Sequence, residues 1–249
     1  MKKVIIIGGG ASGFFTAANI NTKLYDVTIL EQNSDVLQKV KISGGGRCNV
    51  SHACFDPREL VQFYPRGNKE LLSVFTKFQP GDTMNWYEEH GVALKIEDDN
   101  RIFPESNSSQ SIIDCLVNEC RKKNVKILTK QTVTEILPKE NGYKIHTTDQ
   151  NYFADYVVFS TGSSPGEPFN HGGLELPAPL DRPFDPEDSW LDREGPAGAA
   201  RREQGSAVAV GASISIMDTR HAIVVIAKVL WRLRCAFKEI CTRVRVLNR

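Results

Sequence analysis

Gly8, Gly9, Gly10 and Gly13, with Ala11 and Ser12 among them, satisfy the pattern G-x-G-x-x-G. Such a bend exposes main-chain N–H groups with no side chains in the way, which is what a diphosphate requires. The bend follows the apolar run Val4-Ile5-Ile6-Ile7 and precedes a segment whose Phe14, Phe15, Ala18 and Ile20 make an approximate helical face. Seventeen residues separate Gly13 from Glu31, an acid at the end of the next apolar stretch. In that setting Gly8 permits the tight turn, Gly10 lets the backbone approach a pyrophosphate, and Gly13 lets the helix pack close to a sheet. Ala11 and Ser12 stand in the first helical turn, whose free N–H groups and positive dipole end favour phosphate. Glu31, with Gln32 beside it, is suited to accept hydrogen bonds from both hydroxyls of an adenosine ribose. An acid at that place disfavours a 2′-phosphate, so NADP is not the expected ligand. The plain alternative, a glycine turn and a surface acid, is outweighed by the strand–turn–helix context.

A second glycine cluster, Lys41-Ile42-Ser43-Gly44-Gly45-Gly46-Arg47-Cys48-Asn49, follows. Consecutive glycines let backbone pass close to a flat or anionic ligand, and Arg47 has the fork to hold a phosphate bidentately. A plain NAD site has no need of such a segment. A flavin lying across the domain does, because its ribityl chain and ring extend beyond the diphosphate. The third piece is the apolar run Tyr156–Ser160 ending in Thr161-Gly162, where backbone can meet the nucleotide again. The expected cofactor contacts are therefore Gly8, Gly10, Ala11, Ser12, Gly13, Glu31, Gln32, Lys41, Ser43, Gly44, Gly45, Arg47, Cys48, Asn49, Thr161 and Gly162.

Together with Arg101-Ile102-Phe103-Pro104-Glu105-Ser106, these segments resemble the BaiN/RdsA-like family of FAD-dependent oxidoreductases, the group of YhiN-type flavoproteins. The resemblance spans about residues 1–165. It implies an α/β, glutathione-reductase-like FAD-binding Rossmann fold, a parallel sheet with a β-meander, and Val133 as a backbone contact for adenine. It further implies FAD as cofactor and hydride transfer through flavin N5, with unsaturated steroid-type compounds as substrates proposed for some members. In that family the chain next enters a substrate domain and then returns to complete the flavin site. Residues 166–249 resemble neither part, so the expectation is a site with its adenosine and diphosphate half present and its ring end open.

The elements that must position these residues are legible as periodicities. Residues 3–7 read as a buried parallel strand, 11–23 as a helix and Tyr25–Glu31 as a second strand. Segments near 57–64, 68–78 and 80–90 read as helices, with Gly91 as a C-cap. Val92–Ile96 and Arg101–Phe103 read as a hairpin, so that about 50–105 forms a helical and hairpin insertion. Ser108 or Ser109 caps a helix to Lys123. Strands follow at Val125–Leu128, Thr132–Leu137, Tyr143–Thr147 and Tyr152–Ser160, with Asn141-Gly142 marking a hairpin.

The chain has 249 residues, 31 basic and 30 acidic, for a net charge of +1. That balance supplies no global field to hold a polyanion, so a nucleic-acid partner is not expected and a small-molecule substrate of unknown identity is. The first apolar run is too short for a signal-peptide core or a membrane span, and six cysteines without C-x-x-C describe no disulfide framework, which makes the cytoplasm the default location. Cys48 and Cys54 stand near where some flavin disulfide reductases place a redox pair, though five residues intervene here instead of four. Arg47 and a nearby helix N-terminus are features that lower a thiol pKa. A structural role for Cys48 is the commoner outcome. His90 reads as a helix-end residue and His52 as one that could face the ring. No histidine has a metal-ligand spacing.

Usage changes near residue 165. Residues 1–165 hold fourteen Lys and five Arg, whereas 166–249 hold two Lys and ten Arg. Residues 166–205 carry six prolines and no regular period, reading as a disordered linker. The shift suggests a different origin for the tail, a fusion or an altered reading frame, which the coding DNA tests. Within 206–249, Ile226, Leu230, Leu233, Phe237, Ile240, Val244 and Leu247 form an apolar stripe on a basic helix over 223–247, suited to a membrane surface, a partner helix or the chain's own core. Beside the oxidoreductase two readings stay open: a catalytically incomplete nucleotide-binding fragment, and an interaction protein acting through that helix.

Overall fold

The computed structural model describes residues 1–64 and 68–162; the expected linker 166–205 and the helix-bearing tail 206–249 lie outside the described residues. The chain runs β1 (Lys2–Ile7), α1 (Ala11–Asn19), β2 (Tyr25–Leu30), α2 (Gln38–Gly46), β3 (Ser51–His52), α3 (Pro57–Leu60) and α4 (Asn68–Phe75). It continues through α5 (Pro80–Glu89), β4 (Leu94–Ile96), β5 (Arg101–Pro104), α6 (Ser109–Lys122), β6 (Lys126–Leu128), β7 (Val133–Lys139), β8 (Gly142–Thr147), β9 (Asn151–Ala154) and β10 (Tyr156–Phe159).

Four strands form a parallel sheet in the order β10-β1-β2-β6. β1 is a continuous apolar run because both of its faces are covered. Val4 and Ile6 face a helical layer in which Phe14, Phe15, Ile112 and Leu116 pack. Ile5 and Ile7 face the antiparallel meander β7-β8-β9 through Ile136, Tyr143 and Ile145. Each such side chain, fully buried, contributes about 1.5–3 kcal/mol of apolar transfer free energy. A third sheet, β3-β5-β4, carries the residues that follow the second glycine cluster.

Three local expectations change. The helix expected over 11–23 stops at Asn19, because Ile20 turns extended (φ −72°, ψ 141°) and Asn19 Nδ2 returns to the Phe15 carbonyl. The strand expected over Tyr152–Ser160 is two strands of different sheets, divided at Asp155. That residue donates its N–H to Lys3 O and accepts from Lys3 N–H, turning the chain from the meander into the parallel sheet. Lys41–Asn49, to which no element was assigned, is partly helical: α2 runs into it and breaks at Ser43–Gly45.

Cys48, Cys115 and Cys120 are all buried, and burial pushes their thiols up to about 11, 11 and 12 respectively. Below a thiol's ordinary 9.0 both folded and unfolded states stay protonated. Above it the unfolded chain ionises first, so stability is lost as pH rises from 9.0 through about 11. Each thiol contributes a loss of about 1.4 kcal/mol per pH unit in that window. Urea midpoints should fall across it, and Cys48→Ala should make the fall shallower by about one third.

Candidate functional site

All four parallel strands end along one edge, at Ile7, Leu30, Leu128 and Phe159. The chain leaves β1 toward β2 on one side, while β10 lies on the other, so the crevice between β1 and β10 is the switch point at which open α/β sheets bind ligands. Gly8–Gly13 and Ser160–Gly162 flank that crevice.

Backbone contact dictates the glycines. Gly8 has φ +108°, and a Cβ there would lie 2.4 Å from Ser160 O. A Cβ on Gly13 would lie 2.1 Å from Gly8 O. Gly10 differs: nothing lies within 4 Å of its Cβ position, so the outer side of the bend is open. Gly10 is also the N-cap of α1 and provides no side-chain cap, which leaves the turn carrying Ala11 and Ser12 available to an anion.

Glu31 follows β2 and its carboxylate turns back onto the bend. Oε2 accepts from Gly9 N–H at 2.7 Å, while Oε1 accepts from Asn33 N–H at 2.9 Å and Asn33 Nδ2 at 2.7 Å. The residue is buried, and among the described residues no cation pairs with it. An ionised carboxylate has about four lone-pair sites, so it retains capacity for a donor such as a ribose hydroxyl. Gln32 is exposed beside it. Gln131 N–H donates to Glu31 O, which sets the start of the meander, and Val133 two residues on, against this end of the site.

Lys39 was not among the residues the motifs singled out. Its Nζ lies 3.5 Å from the Cβ position of Gly162. Leu37 N–H donates to Gly9 O at 2.8 Å and ties α2 to the bend. The local pattern held no signal for this, because Lys39 reaches the site only when α2 folds over it.

The second glycine cluster is divided by the structure. Gly44, Gly45 and Gly46 all have positive φ, and Gly45 has open space around its Cβ position, whereas Gly44 rests on Asn49 N and Phe103. Lys41 is exposed and its carbonyl accepts from Ser109 Oγ; Ser43 Oγ turns back to Val40 O. Arg47 has protein partners: Nη1 meets Glu97 Oε1 at 2.6 Å and the guanidinium stacks 3.9 Å from the Phe103 ring centre. Cys48 is buried rather than activated, since desolvation raises its thiol and a bond with Ser43 pulls only partly the other way. Asn49 is buried with Oδ1 lacking a partner, an acceptor left for a ligand or water. His52 packs edge-on against Phe63, and His90 closes α5 on Trp86 O with Nε2 3.6 Å from Glu119.

The parallel sheet, meander, glycine bend and acid at the second strand's end define a dinucleotide-binding Rossmann domain of the glutathione-reductase-like type. The particular family is the HI0933-like protein Rossmann domain family, to which the chain belongs; residues 2–167 match it. FAD, expected from the sequence, is the cofactor to which this membership points. Over 164 residues the chain is 30% identical to a ribosomal RNA dihydrouridine synthase of Escherichia coli, covering 65% of this chain and 40% of the relative. Over 176 residues it is 29% identical to a 3-dehydro-bile acid delta(4,6)-reductase of Clostridium scindens, covering 70% and 42%. The chain thus spans about two fifths of the length of these relatives. Among solved structures it is similar to a 3-ketosteroid-delta4-(5alpha)-dehydrogenase of Rhodococcus jostii, with a TM-score of 0.48 at 15% identity, over 65% of this chain and 46% of that one.

FAD fits the residues that are present. The open face over Gly10, the uncapped start of α1, the cation-free Glu31 carboxylate and the orphaned Asn49 Oδ1 meet its diphosphate and polar groups with complementary chemistry.

Proposed function

We propose that residues 1–162 bind FAD and serve as the flavin-holding part of an oxidoreductase that reduces a carbonyl-conjugated C=C bond. The observation carrying the binding half is the glycine bend, clamped against β10 yet open over Gly10, with Glu31 held at its rim. Glu31 orients the adenosine ribose, the first turn of α1 holds the diphosphate, and Lys39 adds positive charge beside Gly162. Gly45 and Gly46 let backbone approach the extended middle of the cofactor. Reduced FAD supplies a hydride; the protein supplies orientation and exclusion of water. Support for the substrate class is chemical. The names of both relatives describe reduction at a double bond, in a uracil ring and in a bile-acid skeleton, and in each the bond is conjugated to a carbonyl able to take up charge as hydride adds.

The full-length protein should purify yellow, with visible flavin absorption. Glu31→Ala removes an acceptor of charge-assisted bonds and should weaken FAD about 10- to 100-fold, read by equilibrium titration. A colourless parent that takes up no added FAD defeats the reading. Turnover is a separate measurement: NADH should bleach the bound flavin, and either a uridine-containing RNA or an enone steroid should restore its colour under anaerobic conditions. Flavin bound but never reduced would support the catalytically incomplete reading instead.

A further inference from the structure

We propose that Ser160 is a positioning residue for the ribose end of this site, acting through the Gly8–Gly9 peptide on Glu31. The proposal deepens the FAD-binding reading and rests on it. Ser160 lies just beyond β10, is buried, and continues the parallel ladder by donating its N–H to Ile7 O at 2.8 Å. Its hydroxyl is a separate device. Oγ stands 2.9 Å from Ile7 O and 3.0 Å from Gly8 O, so its single proton is shared between two carbonyls at the base of the bend.

Gly8 C=O and Gly9 N–H belong to one rigid peptide plane. Ser160 holds the oxygen side of that plane. Glu31 Oε2 holds the hydrogen side at 2.7 Å, and the second carboxylate oxygen is fixed by both donors of Asn33. The carboxylate orientation is therefore set at one oxygen by local Asn33 and at the other by a peptide that β10 anchors. Rotation of the plane would carry Gly9 N–H off Oε2. With glycine on both sides of the plane, no Cβ resists that rotation, so the hydroxyl is what opposes it. Gly13 leaves the room this hydroxyl needs: a Cβ there would come within 2.8 Å of Ser160 Oγ.

Ser160 touches no ligand on this account; it aims the group that does. The effect should appear in discrimination of the ribose hydroxyls and not in phosphate binding. The test uses full-length protein, with ADP and 2′-deoxy-ADP as probes in calorimetric titrations. The parent should bind ADP about tenfold more tightly than 2′-deoxy-ADP. Ser160→Ala should bring the two to near parity by weakening ADP alone. In a Glu31→Gln background the same substitution should leave the ratio unmoved. Should Ser160→Ala fail to fold, Ser160→Cys, with a weaker donor at the same place, should give an intermediate ratio. Equal weakening of both nucleotides, or an unchanged ratio in the serine variants, would overturn the proposal and leave FAD binding standing. A parent that binds neither nucleotide would instead defeat the FAD-binding reading and this proposal with it.

Discussion

Gly8→Ala should lower the melting temperature by about 10 °C, while Gly10→Ala, two residues away, should leave it nearly unchanged. The difference follows from what an added methyl group meets. At Gly8 it meets Ser160 O at 2.4 Å, and the backbone has φ +108°, which an L side chain resists. Strain and overpacking together amount to about 3–4 kcal/mol. The colliding atom is backbone of the neighbouring strand's end and cannot swing away. Gly13→Ala should behave like Gly8→Ala, since its new methyl would sit 2.1 Å from Gly8 O. At Gly10 the added methyl enters open space, so folding is spared and only ligand approach is obstructed. FAD affinity of Gly10→Ala should accordingly drop at least about tenfold in visible-absorption titrations. Undiminished binding by Gly10→Ala would mean that the nucleotide does not cross the bend. An unshifted melting temperature for Gly8→Ala would contradict the clamp against β10.

Arg47→Ala and Glu97→Gln should both weaken FAD, and the double variant should be no worse than Arg47→Ala. The guanidinium pairs with Glu97 at 2.6 Å and stacks on Phe103, the ring against which Gly44 also rests. Arg47 thereby props the glycine turn on the β4–β5 hairpin. The side chains are about one-third and one-quarter exposed, so the ion pair and ring contact together are worth about 1–2 kcal/mol, or roughly tenfold in affinity if the turn must be ordered to bind. Non-additivity is the signature of residues acting as one unit. The phosphate role expected from the sequence makes the opposite forecast for one variant. If Arg47 held phosphate, Glu97 would compete for it, and Glu97→Gln would tighten FAD. The sign of that single change decides between strut and ligand.

Legibility followed the range of the forces involved. The glycine bend, its strand and helix, Glu31, the Asn141-Gly142 hairpin and the Ser108 cap were all readable, because each is decided by backbone sterics and hydrogen bonds within a few residues. The division of the last expected strand at Asp155 was not readable, because its cause is Lys3, on the other edge of the chain's history. The partners of Arg47 were not readable for the same reason. A guanidinium beside three glycines suits a phosphate, and only the return of the chain through β4 and β5 brings Glu97 and Phe103 to it. Cys48 looked open to activation by a neighbouring cation until its burial made desolvation the larger effect.

The order of residues thus settled which backbone can bend, where a helix offers its amides, and which acid stands at ribose distance along the chain. Those are properties of short segments, carried by residue type and spacing. The folded chain alone decided which side chains meet, placing Lys39 beside Gly162, seating Ser160 against Gly8 and pairing Arg47 with Glu97. Partner choice depends on which distant strands share a sheet, and burial depends on everything packed above. Neither quantity exists until the chain has closed on itself.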